Sequence, residues 1–114
     1  MKGNNLTRFA VNGNSLEGVI RKGLFEGLSK VLILDLSGQQ FTAIEDYAFF
    51  GLEKVRTLDC SQNKLQSLST NAFRELRYLF LLNLSYNNIT EINIDTQDLL
   101  SIRIMLFRNN AITQ

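Results

Sequence analysis

Few side chains in this sequence could do chemistry, and their spacing does not organise them for it. Glu45, Asp46, Asp95 and Asp98 fall in loop segments, without a paired base or the clustering that a metal ion needs. The chain has no histidine, so the commonest general base and the Ser–His and Cys–His nucleophile pairs are missing. One cysteine, Cys60, cannot close an internal disulfide or furnish a zinc site. It stands between Leu58 and Asn63 with no basic neighbour in that stretch, which fits a small buried thiol better than a reactive one. These residues imply no catalytic group, no cofactor and no metal, and so a binding protein rather than an enzyme.

Two other acids are more informative. Asp35 and Asp59 are separated by the interval that relates many other residues of the chain. Leu28, Val31, Leu34, Leu36, Gln39, Phe41, Ile44 and Phe49 return as Leu52, Val55, Leu58, Cys60, Asn63, Leu65, Leu68 and Phe73, a shift of 24 at every position. The next copy is Leu76, Leu79, Leu82, Leu84, Asn87, Ile89 and Ile92, and a partial one follows in Leu99, Ile102, Met105, Phe107, Asn110 and Ile112. An earlier copy runs through Leu6, Phe9, Val11, Asn14, Leu16 and Val19, with Leu24 or Phe25 near the later aromatic position. A fixed period of this length marks a solenoid, in which each repeat buries its apolar face only by stacking on its neighbours.

The elements follow from the period. In Leu82-Asn83-Leu84 the leucines alternate with a polar residue, as a short strand with one buried face requires. The turn after each strand carries an amide side chain, at Asn14, Gln39, Asn63, Asn87 and Asn110. Such an amide can pair backbone groups that a tight bend leaves without partners, and stacked turns make the amides a ladder. Gln39 has one methylene too many, which predicts strain or local rearrangement there.

The pattern L-x-x-L-x-L-x-x-N-x-L, carried from Leu6 to Ile112, resembles the leucine-rich repeat superfamily. Phe49 and Phe73, with about 24 residues per turn, resemble its typical subclass, common in extracellular animal receptors. Glu45-Asp46-Tyr47-Ala48-Phe49 and Asn83-Leu84-Ser85-Tyr86-Asn87 are similar to insect immune leucine-rich repeat proteins and Toll-type ectodomains. The plant subclass is not matched, since the chain has no proline. The resemblance implies an α/β, right-handed solenoid of about five repeats, with a parallel concave sheet and an irregular or short-helical convex side. The repeats are expected near residues 1–27, 28–51, 52–75, 76–98 and 99–114, as one domain.

The resemblance also implies that the concave sheet is the binding surface and that its ligand is a protein. Its candidate contact residues are Ile33, Asp35, Thr57, Asp59, Leu81, Asn83, Tyr86, Ile104, Leu106 and Arg108. Asp35 and Asp59 are expected side by side on strands about 4.8 Å apart, either as a spot for a ligand's Lys or Arg or as a solvated habit of that position. Leu81, Ile104 and Leu106, extended by Phe80 and Tyr86, form an apolar patch that either meets a partner or is covered by the chain itself. Tyr86 and Arg108 are the side-chain types that dominate protein interfaces. Lys22, Lys30, Lys54, Arg56, Arg74 and Arg77 read as scattered solubilising charges.

Composition bounds the setting. At 45% hydrophobic and 20% charged residues, 114 residues suit one folded domain. A net charge of +1 argues against nucleic acid or an anionic membrane as partner. No apolar run is long enough to insert in a bilayer, and Met1-Lys2-Gly3-Asn4-Asn5 opens no signal peptide. The chain is therefore read as a fragment of a secreted or cell-surface ectodomain, or alternatively as a cytoplasmic scaffold. Sequons at Asn5, Asn83 and Asn88 are compatible with secretion. No cysteine-rich caps flank the repeats, which predicts exposed core at Val11, Leu16, Phe107 and Ile112, and self-association through those ends.

Overall fold

A computed structural model describes residues 7–11 and 16–112. Asn5, Asn12 and Asn14 lie outside the described residues. Five short strands, β1 (Arg8–Ala10), β3 (Ile33–Asp35), β5 (Thr57–Asp59), β7 (Leu81–Asn83) and β8 (Ile104–Leu106), pair in parallel in that spatial order. The chain thus makes about four full turns between five strands. In each strand the central residue points inward: Leu34, Leu58 and Leu82 are fully buried, while their neighbours face outward.

A second parallel sheet, of β2 (Glu17–Ile20), β4 (Gln40–Ile44) and β6 (Ser67–Leu68), follows the amide turns. The sequence reading expected irregular or short-helical chain away from the concave sheet; the structure has turns and this second sheet there, with almost no helix. The only helix among the described residues is one 3-10 turn, Thr96–Asp98. Phe41 and Ile44 go inward from β4. Their spacing of three is helical, but the turn residues on either side leave no length for a helix. Between the sheets the backbone advances by linked turns, such as Ala48 to Glu45, Phe50 to Tyr47, Leu52 to Phe49 and Val55 to Leu52.

The core runs the length of the stack. Phe25, Phe49 and Phe73 stack nearly parallel at centroid separations of 6.1 and 6.0 Å, and Phe9 meets Phe25 edge-on at 6.4 Å. Phe25 therefore takes the aromatic position of its repeat, and Leu24 is exposed. Of the described residues expected to expose core at the ends, Phe107 does so most clearly. Phe107 is 44% exposed beside the last strand, whereas its counterpart Leu84 is buried and Val11 is buried as well. Leu16 and Ile112 are half-buried against the core.

The amide ladder is present from Gln39 to Asn110. Asn63 donates to the carbonyls of Leu36, Cys60 and Ser61 and accepts from the Phe41 N–H at 3.1 Å. Asn87 repeats this set on Cys60, Leu84, Ser85 and Leu65, and Asn110 on Leu84, Phe107, Arg108 and Ile89. Gln39 keeps both cross-turn bonds, to the Val11 carbonyl and from the Leu16 N–H, each at 3.0 Å. Its partners lie 23 and 28 residues away, against 22 and 27 for Asn63. The extra methylene spans one extra residue, so the departure takes the form of the local rearrangement expected as the alternative to strain. The cost is one bond within its own turn, since Gln39 reaches only the Ser37 carbonyl there.

Positive φ recurs at fixed positions of the repeat. The residue before the ladder amide is left-handed in each described turn: Gly38 (φ 70), Gln62 (φ 56), Tyr86 (φ 59) and Asn109 (φ 56). On the opposite side Gly51 (φ 92) corresponds to Glu75 (φ 81), where a side chain occupies a glycine conformation. Nothing lies within 4 Å of a Cβ built on Gly51, so the constraint there is backbone conformation and not space.

Asn63→Ala leaves the Phe41 N–H and the Leu36 carbonyl buried without partners. At about 1–3 kcal/mol for each orphaned group, denaturant unfolding should show a loss of about 3 kcal/mol or more. Glu75→Gly should raise stability in the same assay, by about 0.5–1 kcal/mol, as the strained φ is relieved.

Candidate functional site

The outward residues of the five-stranded sheet form two columns fixed by strand register. Arg8, Ile33, Thr57, Leu81 and Ile104 are aligned, as are Ala10, Asp35, Asp59, Asn83 and Leu106. Every concave candidate taken from the strands therefore sits where the period places it. Tyr86 and Arg108 follow in the turns beyond β7 and β8.

The acidic pair is adjacent, and each carboxylate is engaged within its own turn. Asp35 Oδ1 accepts from the Ser37 N–H at 3.0 Å and its hydroxyl at 2.6 Å, and Asp59 Oδ1 does the same for Ser61 at 2.9 and 2.6 Å. Asn83 Oδ1 takes the same bond from the Ser85 N–H. These side chains act as turn formers, closing the bend that leads from strand to ladder. Arg8 stands 3.5 Å from the second oxygen of Asp35. The chain thus supplies a basic partner of its own, so a ligand's cation is not needed to relieve the pair.

The apolar candidates are not covered by the other described residues. Ile104 and Leu106 are 38% and 43% exposed, Tyr86 is exposed, and Leu81 is half-buried between them. Tyr86, Leu106 and Arg108 meet Asn83 and Ser61 around a concavity of about 680 Å³. The Arg108 guanidinium lies 5.9 Å from the Tyr86 ring centroid, and the Tyr86 N–H donates to the Arg108 carbonyl. The left-handed φ of Tyr86 sets its ring at this lip. Ile33 and Thr57 fall elsewhere, in a smaller groove with Leu32, Arg56 and Phe80.

The sequence reading missed the rim. Lys54 and Arg56 were taken as scattered charges, yet they line one groove with Arg103, Tyr78, Phe80 and Leu100. The signal was available, because Leu32, Arg56, Phe80 and Arg103 each immediately precede a strand and so form a third column.

Cys60 is buried, and its thiol pKa is pushed far above the usual range, first by burial and then by the nearby Asp59 and Asp35 charges. Among the described residues no group of three or more Cys, Asp or Glu side chains is placed to hold a metal ion, and no helix is long and apolar enough to cross a membrane. Of the described sequons, Asn88 is exposed, while Asn83 is half-buried in the sheet with its side chain engaged.

A family profile described as "Leucine rich repeat" matches residues 4–65, 33–89 and 53–112 in overlapping blocks. Comparison with curated proteins gives no match.

A thiol-specific reagent at pH 8 should leave Cys60 unmodified in the folded chain and react once denaturant is added. The raised pKa also sets a sign: the unfolded thiol ionises first, so stability should fall as pH rises above about 8.5. Denaturation midpoints of the parent and Cys60→Ala at pH 7 and 10 measure this, and the parent should lose more.

Proposed function

This chain belongs to the leucine-rich repeat family, and from that premise we propose that it is an extracellular recognition module. It holds a protein partner on the concave sheet at the lip formed by Tyr86, Leu106 and Arg108. Leucine-rich repeats are generally protein-interaction modules. The observation that carries the proposal is the convergence of an exposed tyrosine, an arginine and the apolar pair Leu106 and Phe107 on one concavity. Aromatic and arginine anchors in a desolvated pocket are the usual centres of protein interfaces. The acidic pair contributes shape and turn geometry to this surface rather than the main attraction.

The extracellular setting rests on resemblance to the typical subclass and on the exposed sequon at Asn88. A second reading, an intracellular scaffold using the same surface, is favoured by Cys60, a buried free thiol well suited to a reducing compartment. Secretory expression distinguishes the two, because glycosylation at Asn88 would shift the mass in a way that Asn88→Gln removes.

Affinity capture from source material should compare the parent with a Leu81→Glu, Leu106→Glu variant shown by circular dichroism to be folded. Loss of a captured protein with the variant supports recognition at the sheet. Capture of a second copy of the chain, lost in the same way, is the form that self-association beside Phe107 would take. Equal capture by parent and variant contradicts the proposal.

A further inference from the structure

The rim groove lies outside the concavity assigned above, on the side where the strands begin. It encloses about 550 Å³ and is lined by Leu32, Lys54, Arg56, Tyr78, Phe80, Leu100, Ser101 and Arg103, three cations and no carboxylate. The chain as a whole carries a net charge of only +1, so this concentration is local. Among the described residues the two ion pairs are Arg8–Asp35 and Arg21–Glu45. Lys54, Arg56 and Arg103 thus have no acidic partner there, and Arg103 makes only a bond to its neighbour's carbonyl, at Ile102. The apolar lining is exposed too: Leu100 at 73%, Tyr78 at 57% and Phe80 at 45%.

We propose that this groove is a second docking site, taking an extended acidic segment of a partner protein that carries apolar side chains between its carboxylates. Charge complementarity sets the sign of the ligand, since guanidinium and ammonium groups without an acidic partner among the described residues attract carboxylates. The column Leu32, Arg56, Phe80, Arg103 crosses four strands. Three steps of about 4.8 Å make about 14 Å, the length of four to five extended residues at about 3.3 Å each. Arg56 and Arg103 are two steps, about 10 Å, apart. Carboxylates three residues apart match them on a segment in the extended polyproline II conformation, where three residues per turn and about 3.1 Å per residue put both on one face, with the intervening side chains toward Phe80 and Leu100. A sulfated sugar supplies the charge but has no side chain to fill the apolar lining. A bilayer surface is flat and does not enter a concave groove.

The test uses fluorescence anisotropy of a labelled, end-blocked peptide in which two glutamates flank leucine and phenylalanine, with a lysine-flanked peptide as control. Saturable binding of the acidic peptide alone is expected, weakening several-fold between about 50 and 200 mM salt. Lys54→Glu with Arg56→Glu should lower affinity at least about ten-fold, the loss of one or two charge-assisted contacts. Leu100→Ser should lower it several-fold, and Leu106→Glu should leave it unchanged, which separates this site from the concavity. All four positions are exposed, and circular dichroism verifies that the variants fold. The proposal is overturned by binding that ignores the Lys54 and Arg56 reversals, by equal binding of the lysine-flanked peptide, or by no peptide binding. Binding of a sulfated oligosaccharide or of phosphatidylserine vesicles in place of the peptide overturns it as well.

Discussion

The rest of the structure depends on how the buried amides satisfy the backbone. After each strand the chain must reverse direction in a few residues, beside a core of buried leucine, valine and phenylalanine side chains. A bend of that kind strands N–H and C=O groups, and each one left unpaired inside costs about 1–3 kcal/mol. One amide per turn answers this by donating back to a carbonyl of the previous turn and accepting from an N–H two residues beyond that turn's own amide. The bonds run between turns, so they also fix the rise from one turn to the next. Strand register, the phenylalanine stack and the outward columns all inherit that rise.

The two surfaces assigned to binding are consequences of the same geometry. With inward positions taken by leucine and its substitutes, the residues flanking them project from the sheet at strand spacing, and the residue just before each strand projects along the rim. Small features of sequence then become continuous surfaces. Tyr86 occupies the left-handed position before a ladder amide, which puts its ring at the lip beside Arg108. Arg56 and Arg103 stand on either side of Phe80 because each immediately precedes a strand. The concavity is mixed aromatic, aliphatic and basic, and the rim is basic and aromatic. Both are edged by backbone that the core and ladder hold in place.

Most of this organisation could be read from the sequence because the period is rigid. Leu34, Leu58 and Leu82 fall at one position of the repeat and all three are fully buried, and the pairing of Asp35 with Asp59 follows from the interval alone. What escaped the sequence depended on competing local choices. The second sheet was missed because the convex side was taken from the family resemblance, and the consensus residues Phe41 and Ile44 do not by themselves mark a strand. Gln39 looked strained because its side chain was judged without the extra residue that it spans. The pairing of Arg8 with Asp35 escaped notice, since a contact across strands depends on side-chain direction as well as register. The rim charges looked scattered because their column lies outside the consensus leucines.

Amide hydrogen exchange followed by nuclear magnetic resonance tests the central claim most directly, through the N–H groups of Phe41, Leu65 and Ile89. Each donates to the ladder oxygen of the following turn. The account predicts that these three exchange among the slowest in the chain, at the rate of global unfolding. Exchange as fast as that of the exposed turn at Gly51 would contradict it, and would leave the register of both binding surfaces without its physical cause.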